Sequence, residues 1–140
     1  MTDPQHDAGS AVRREVLGDE HVDRAAAAAT AFTQPFQDFI TRTAWGDVWA
    51  RPDLDRRTRS AVTLAVLTAL RQPEELALHV RAALRNGLTR DEIREVLLHT
   101  AVYAGVPAAN SAFRVADGVL AALGPSDVAA SVPEPDATAE

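Results

Sequence analysis

The stretch "PEELALHVRAALRNG" (residues 73–87) carries its own start, period and stop. Pro73 suits a first helical turn, where a missing N–H leaves nothing unpaired. Asn86-Gly87 is a C-terminal stop. At about 100° per residue, Leu76, Val80, Ala83 and Leu84 fall on one side, and Glu74, Arg81 and Arg85 on the other. A helix with one apolar stripe has to bury it against a neighbour. His79 stands at the edge of that stripe, with Glu75 one turn below on the same flank. The pair is either an ordinary surface ion pair, worth on the order of a few tenths of a kcal/mol, or an acid–base pair beside a pocket.

Working outward, the neighbours are helices too. Upstream, residues 55–71 read as a longer helix whose core, "AVTLAVLTAL" (61–70), is apolar almost all round. Such a helix is expected to be buried in the middle of the molecule. Ten residues with two threonines are too short to span a bilayer. Downstream, Thr89 and Glu92 form a capping box at the head of "LTRDEIREVLLHTAVYAG", closed by Gly105. "VPAANSAFRVADGVLAALG" follows, with Pro107 early and Gly124 late. Before residue 55, a short helix is expected from Ser10 to Gly18, a second from Asp19, and a third over 34–49 with Pro35 near its start. Phe36, Phe39 and Ile40 give that third helix an apolar edge, and "RPDLD" (51–55) breaks the chain.

Short loops between these segments imply antiparallel neighbours. The fold class expected is therefore all-α, a compact antiparallel helical domain over residues 10–124. Residues 1–9 are expected to be loose, and the acidic, proline-containing tail 125–140 to be disordered. Leu78, Leu98 and Val102 fall outside the apolar stripes of their helices, which points to an oligomer interface.

Composition excludes several functions. The chain has 140 residues, 46% hydrophobic but only 5% aromatic, which suits helices packed through Ala, Leu and Val. A net charge of −6 argues against nucleic acid as a partner. All 14 basic residues are arginine, so no lysine is available for Schiff-base chemistry. The absence of cysteine removes disulfides, thiolate nucleophiles and thiolate metal sites. There is no His-x-x-x-His spacing, phosphate loop or dinucleotide glycine pattern, so neither a metal nor another cofactor is expected. "MTDPQHDAGS" has no basic-then-apolar leader pattern, and a cytoplasmic protein without a membrane partner is expected.

Two constellations remain. His79 with Glu75 is favoured over His99 with Glu95, because the His79 ring, flanked by Leu76 and Ala83, is expected to be partly dry. A carboxylate beside such a ring opposes the effect of burial and holds the imidazole near neutrality, as a proton donor needs. His6 and His21 show no partner nearby in the sequence. The second constellation is "RPDLDRRTRS" (51–60), with Trp45 and Trp49 just upstream. Arginines at a helix start run against the helix dipole, and Arg57 and Arg59 are candidates to hold the carboxylates of a small anionic ligand. The tryptophans read first as core anchors, with substrate stacking as the other reading.

"FITRTAWGDVWARPDLDRRTRSAVTL" (39–64), "EELALHVRAALRNGLTRDEIREVLLHTAVYAGVPAAN" (74–110) and "AFRVADGVLAAL" (112–123) closely resemble the carboxymuconolactone decarboxylase family, over roughly residues 11–122. The wider family includes alkylhydroperoxidase D-like proteins, which carry Cys-x-x-Cys-x-x-x-His. Ending that pattern at His79 puts Gln72 and Glu75 at the cysteine positions, so thiol peroxidase chemistry is excluded here. His99 falls where the decarboxylases are expected to have glutamine. The resemblance implies an alkylhydroperoxidase D-like all-α fold assembled as a homotrimer or homohexamer. It also implies cofactor-free decarboxylation of 4-carboxymuconolactone to 3-oxoadipate enol-lactone in the protocatechuate branch of the β-ketoadipate pathway. In that chemistry protonated His79, supported by Glu75, would deliver the proton, with Glu75 or Tyr103 next in line, and Arg57 and Arg59 would bind the lactone. The alternatives are a same-fold relative acting on another lactone or 3-oxo acid, and a non-catalytic oligomeric helical binding protein.

Overall fold

A computed structural model describes residues 3–125. Among these the secondary structure is entirely helical. Seven α-helices, α1 (Pro4–Leu17), α2 (Asp19–Ala28), α3 (Gln34–Ile40), α4 (Arg56–Ala69), α5 (Pro73–Arg85), α6 (Arg90–Ala104) and α7 (Val106–Leu123), are joined by a π-helical segment, Thr41–Trp49, that continues α3. Local signals set most of the boundaries. Asp55 caps α4 by accepting from the Thr58 N–H. Thr89 and Glu92 form the reciprocal capping box of α6. Gly105 and Gly124, both at positive φ, stop α6 and α7.

Three expectations are corrected. The first helix starts at Pro4, not Ser10: Asp3 accepts from the His6 N–H as N-cap, and Pro4 takes the first-turn position. Residues 4–9 are therefore helical rather than loose. The segment 34–49 is not one α-helix, because its second half bonds i→i+5, as in Ala50 N–H to Trp45 C=O. The cause is tertiary. The π register stacks Thr41 and Gly46, five apart, where α1 crosses. A Cβ at Gly9 would collide with the Thr41 carbonyl oxygen, and one at Gly46 would lie 2.6 Å from that of Gln5. Third, α4 is not surrounded. Ser60, Leu64 and Thr68 are buried, but Val62, Val66 and Leu70, four apart along its other side, are exposed. The tail beyond Pro125 lies outside the described residues.

The central element is α5, which serves two cores. Leu76, Val80 and Ala83 pack with Leu64 of α4, Ile93 and Leu97 of α6, and Ala112 and Ala116 of α7. Ala82, one step around the helix, joins Val16 of α1 and Trp45 of the π-helical segment. His79 stands on the flank between the two faces. Its place at the edge of the apolar stripe is thus a place at the seam between two clusters.

Candidate active site

His79 is buried, with 9% of its surface exposed. Its ring lies against Trp49, centroids 6.5 Å apart and planes 21° apart. Trp49 in turn packs on Trp45 at 5.3 Å. The π-helical segment presents both indoles to α5, one buried as an anchor and one half-buried over the imidazole. Trp49 is therefore both anchor and stacking partner.

The imidazole Nδ1 is buried and has no hydrogen-bond partner. Buried polar atoms are nearly always paired, and an orphan calls for an explanation, a catalytic role among them. Burial, and after it the charge of His21, push the His79 pKa down to about 4. At neutral pH the ring of the free chain is uncharged.

Glu75 does not form the pair that its spacing suggested. It is exposed, and no hydrogen bond or ion pair joins it to His79 among the described residues. Its charge acts instead on Arg13 and His21. An i,i+4 spacing puts two residues on one flank but does not turn their side chains toward each other. Here the ring tucks under Trp49 while the carboxylate stays in water. His21, at the start of α2, was set aside in the sequence for want of a partner nearby, and the fold brings it within reach of His79. The His21 pKa is lowered, first by burial and then by Arg13 and Arg24, with Glu75 opposing. It meets this neighbourhood only through the packing of α1 on α2 and α5, which no sequence spacing records.

The two candidate arginines part company. Arg57 ion-pairs with Glu92 and its Nε donates to the Gly87 carbonyl at 3.4 Å, tying the head of α4 to the α5–α6 turn. Arg59 has no carboxylate partner among the described residues. Its guanidinium donates to the carbonyls of Leu54 (3.1 Å) and Arg51 (3.3 Å). It lines a cleft of about 150 Å³ with Val48, Trp49 and Leu54. Arg59 and His79 are thus linked through one indole, whereas Arg57 is engaged elsewhere. His99 is exposed and packs on the exposed Tyr103 ring at 5.1 Å. His6, which showed no partner in the sequence, has Nε2 3.3 Å from Asp38 Oδ1.

The domain thus combines a desolvated imidazole whose Nδ1 has no partner with an arginine that has no carboxylate partner and whose cleft shares the Trp49 indole, groups of the kinds that move a proton and hold a small anion. The comparisons agree with that class. The sequence model of the Carboxymuconolactone decarboxylase family matches residues 34–118, and the chain belongs to that family. It is 50% identical over 125 residues to the 4-carboxymuconolactone decarboxylase of Acinetobacter baylyi, covering 89% of this chain and 93% of that protein. It is 52% identical over 101 residues to the nitrosuccinic acid decarboxylase npaB of Metarhizium robertsii, covering 72% and 71%. A 4-carboxymuconolactone decarboxylase of Pseudomonas putida matches at 54% over 43 residues, 31% of this chain and 90% of the other.

Proposed function

We propose that this chain is a carboxy-lyase that converts 4-carboxymuconolactone to 3-oxoadipate enol-lactone and carbon dioxide, in the protocatechuate branch of the β-ketoadipate pathway. The observation that carries the reading is the 50% identity, over nearly the whole of both chains, to a protein of that name.

The chemistry asks little of a protein. The leaving carboxylate sits on the γ-carbon of an unsaturated lactone. When its C–C bond breaks, the electron pair runs through the double bond into the lactone carbonyl and forms a dienolate. The substrate is its own electron sink. One proton is then added to carbon, so a dianion and a proton become a monoanion and carbon dioxide. The protein must hold two carboxylates, stabilise the oxyanion and supply the proton.

His79 is the proton donor in this reading. The ring is neutral before substrate arrives. Two carboxylates brought beside it oppose the effect of burial and favour the imidazolium. The proton taken up with the substrate is the one the reaction consumes. Arg59, in the cleft shared with Trp49, grips a carboxylate. Arg57 does so only by leaving Glu92, and Glu75 acts at a distance through His21 and Arg13. The exposed Val62, Val66 and Leu70 of α4, with Leu98 and Val102 of α6, are the surface through which copies assemble, as a trimer or hexamer of the alkylhydroperoxidase D-like type. A doubly charged substrate does not cross a bilayer unaided, so the enzyme belongs where that substrate is made, which we take to be the cytoplasm.

The relative named for nitrosuccinic acid favours a second reading: another small dicarboxylate whose leaving carboxylate adjoins an oxygen-bearing electron sink, there a nitro group. Both compounds pose the same problem of two carboxylates and a delocalised carbanion. Incubating the protein separately with 4-carboxymuconolactone and nitrosuccinate, and following loss of each and release of carbon dioxide, distinguishes them. Turnover of neither would remove the decarboxylase reading.

A further inference from the structure

Arg13, on α1, belongs to neither sequence constellation. It is half-buried, its Nε is buried without a hydrogen-bond partner, and its Nη1 donates at 3.2 Å to the neutral Gln37 amide. Among the described residues no carboxylate pairs with it. Three neighbouring arginines are committed to carboxylates: Arg14 to Asp19 and Asp23, Arg42 to Asp3, and Arg24 to Glu20. A half-desolvated guanidinium with an empty donor is an unfavourable state that an anion relieves. Arg13 also lines a cavity of about 150 Å³ between α1, α2 and α3, with Ser10, Gln34, Gln37 and Thr41 supplying further polar groups. The one carboxylate in its wall, Asp38, is already engaged by His6 and by the Gln34 amide.

We infer that this cavity is a binding site for the carboxylate of a small organic acid, gripped by the Arg13 guanidinium with the Ser10 hydroxyl and Gln37 amide beside it. The inference rests on these contacts alone; one of its two sources rests on the decarboxylase reading. Arg13 lies close enough to Glu75 and His21 for their charges to interact. The carboxylate is therefore either the non-leaving one of the substrate or that of a free acid bound beside the site.

Succinate is the probe, with neutral succinamide as its control, titrated into the native protein, Arg13→Gln and Arg13→Lys while the backbone amides of Ser10 and Gln37 are followed by NMR. Succinate is expected to shift both amides in the native protein, and succinamide to leave them in place. Affinity should fall at least tenfold in Arg13→Gln and less in Arg13→Lys, which keeps the charge and stem but loses the two-pronged donor. Absence of shifts at those amides, or equal affinity in native protein and both variants, overturns the inference. Thermal melts check that each variant is folded, and Arg13→Lys carries the comparison if Arg13→Gln is not. A parallel tenfold rise in KM for the lactone assigns the carboxylate to the substrate; lost succinate binding with unchanged KM assigns it to a free acid. Failure of the native enzyme to turn over the lactone would remove only the decarboxylase reading, since the succinate measurement needs no turnover.

Discussion

Acid should weaken this protein through one imidazole. His79 ionises near its ordinary 6.5 in the unfolded chain but at about 4 when folded, because burial disfavours the charged ring. Below pH 6.5 the unfolded state therefore binds more protons at this position than the folded state does. Stability contributed by the neutral buried ring is full above about pH 6.5 and is lost as pH falls toward 4. Each unit of difference is worth about 1.4 kcal/mol, so lowering the pH from 7 to 5 should remove about 2 kcal/mol. Burial lowers the His21 pKa as well, and such contributions have to be cancelled. Urea unfolding of the native protein and of His79→Gln, at one protein concentration across this pH range, does so by difference. The glutamine variant is expected to start less stable at pH 7 and to lose about 2 kcal/mol less on acidification. Parallel loss in the two proteins would falsify the picture of a desolvated neutral ring under Trp49.

His79→Gln should also lower kcat by orders of magnitude while the helical circular dichroism is kept; full activity would move the proton donor elsewhere. Arg59→Ala should raise KM with a smaller change in kcat, as expected for uniform binding, whereas Arg57→Ala should lower the melting temperature slightly, since its ion pair with Glu92 is half exposed and worth up to about 1 kcal/mol. A steady-state comparison of the two variants with a thermal melt reads both effects. Gly9→Ala should destabilise by about 1–3 kcal/mol through overpacking against Thr41, measured by urea unfolding; an unchanged midpoint would mean that α1 and the π-helical segment are not in backbone contact. Val102→Glu, at a residue 78% exposed in the single chain, should break assembly into smaller species by light scattering, and an unchanged mass would remove α6 from the interface.

The parts of the fold legible in the sequence were those written locally. Asp55, Thr89 with Glu92, Gly105 and Gly124 mark helix ends because capping is an affair of three or four neighbouring residues. Asp3-Pro4 was an equally local signal, masked by the polar composition around it. The π-helical segment was not legible, because i→i+5 bonding there answers to a crossing with residues 37 positions earlier, as the Gln5 amide bonded to the Arg42 carbonyl attests. The site divides the same way. His79 stood out by its position on one helix, and the candidate role of Arg59 by its place in a charged run. The stacking by Trp49, the charge of His21 and the engagement of Arg57 by Glu92 depend on elements far apart in the chain. Glu75 misled because spacing along a helix fixes azimuth and says nothing about where a flexible carboxylate finds its best surroundings.

The wide-turned segment Thr41–Trp49 ties two features into one. Rewinding those nine residues at the ordinary pitch would swing Gly46 out from under α1 and carry the second indole off the imidazole together. Length, together with Gly46 and Trp49, is what this stretch has to conserve. Loss of one residue there would cost the enzyme its clamp and its ring partner in a single event, whereas an exchange of side chains on its outer face would leave both intact.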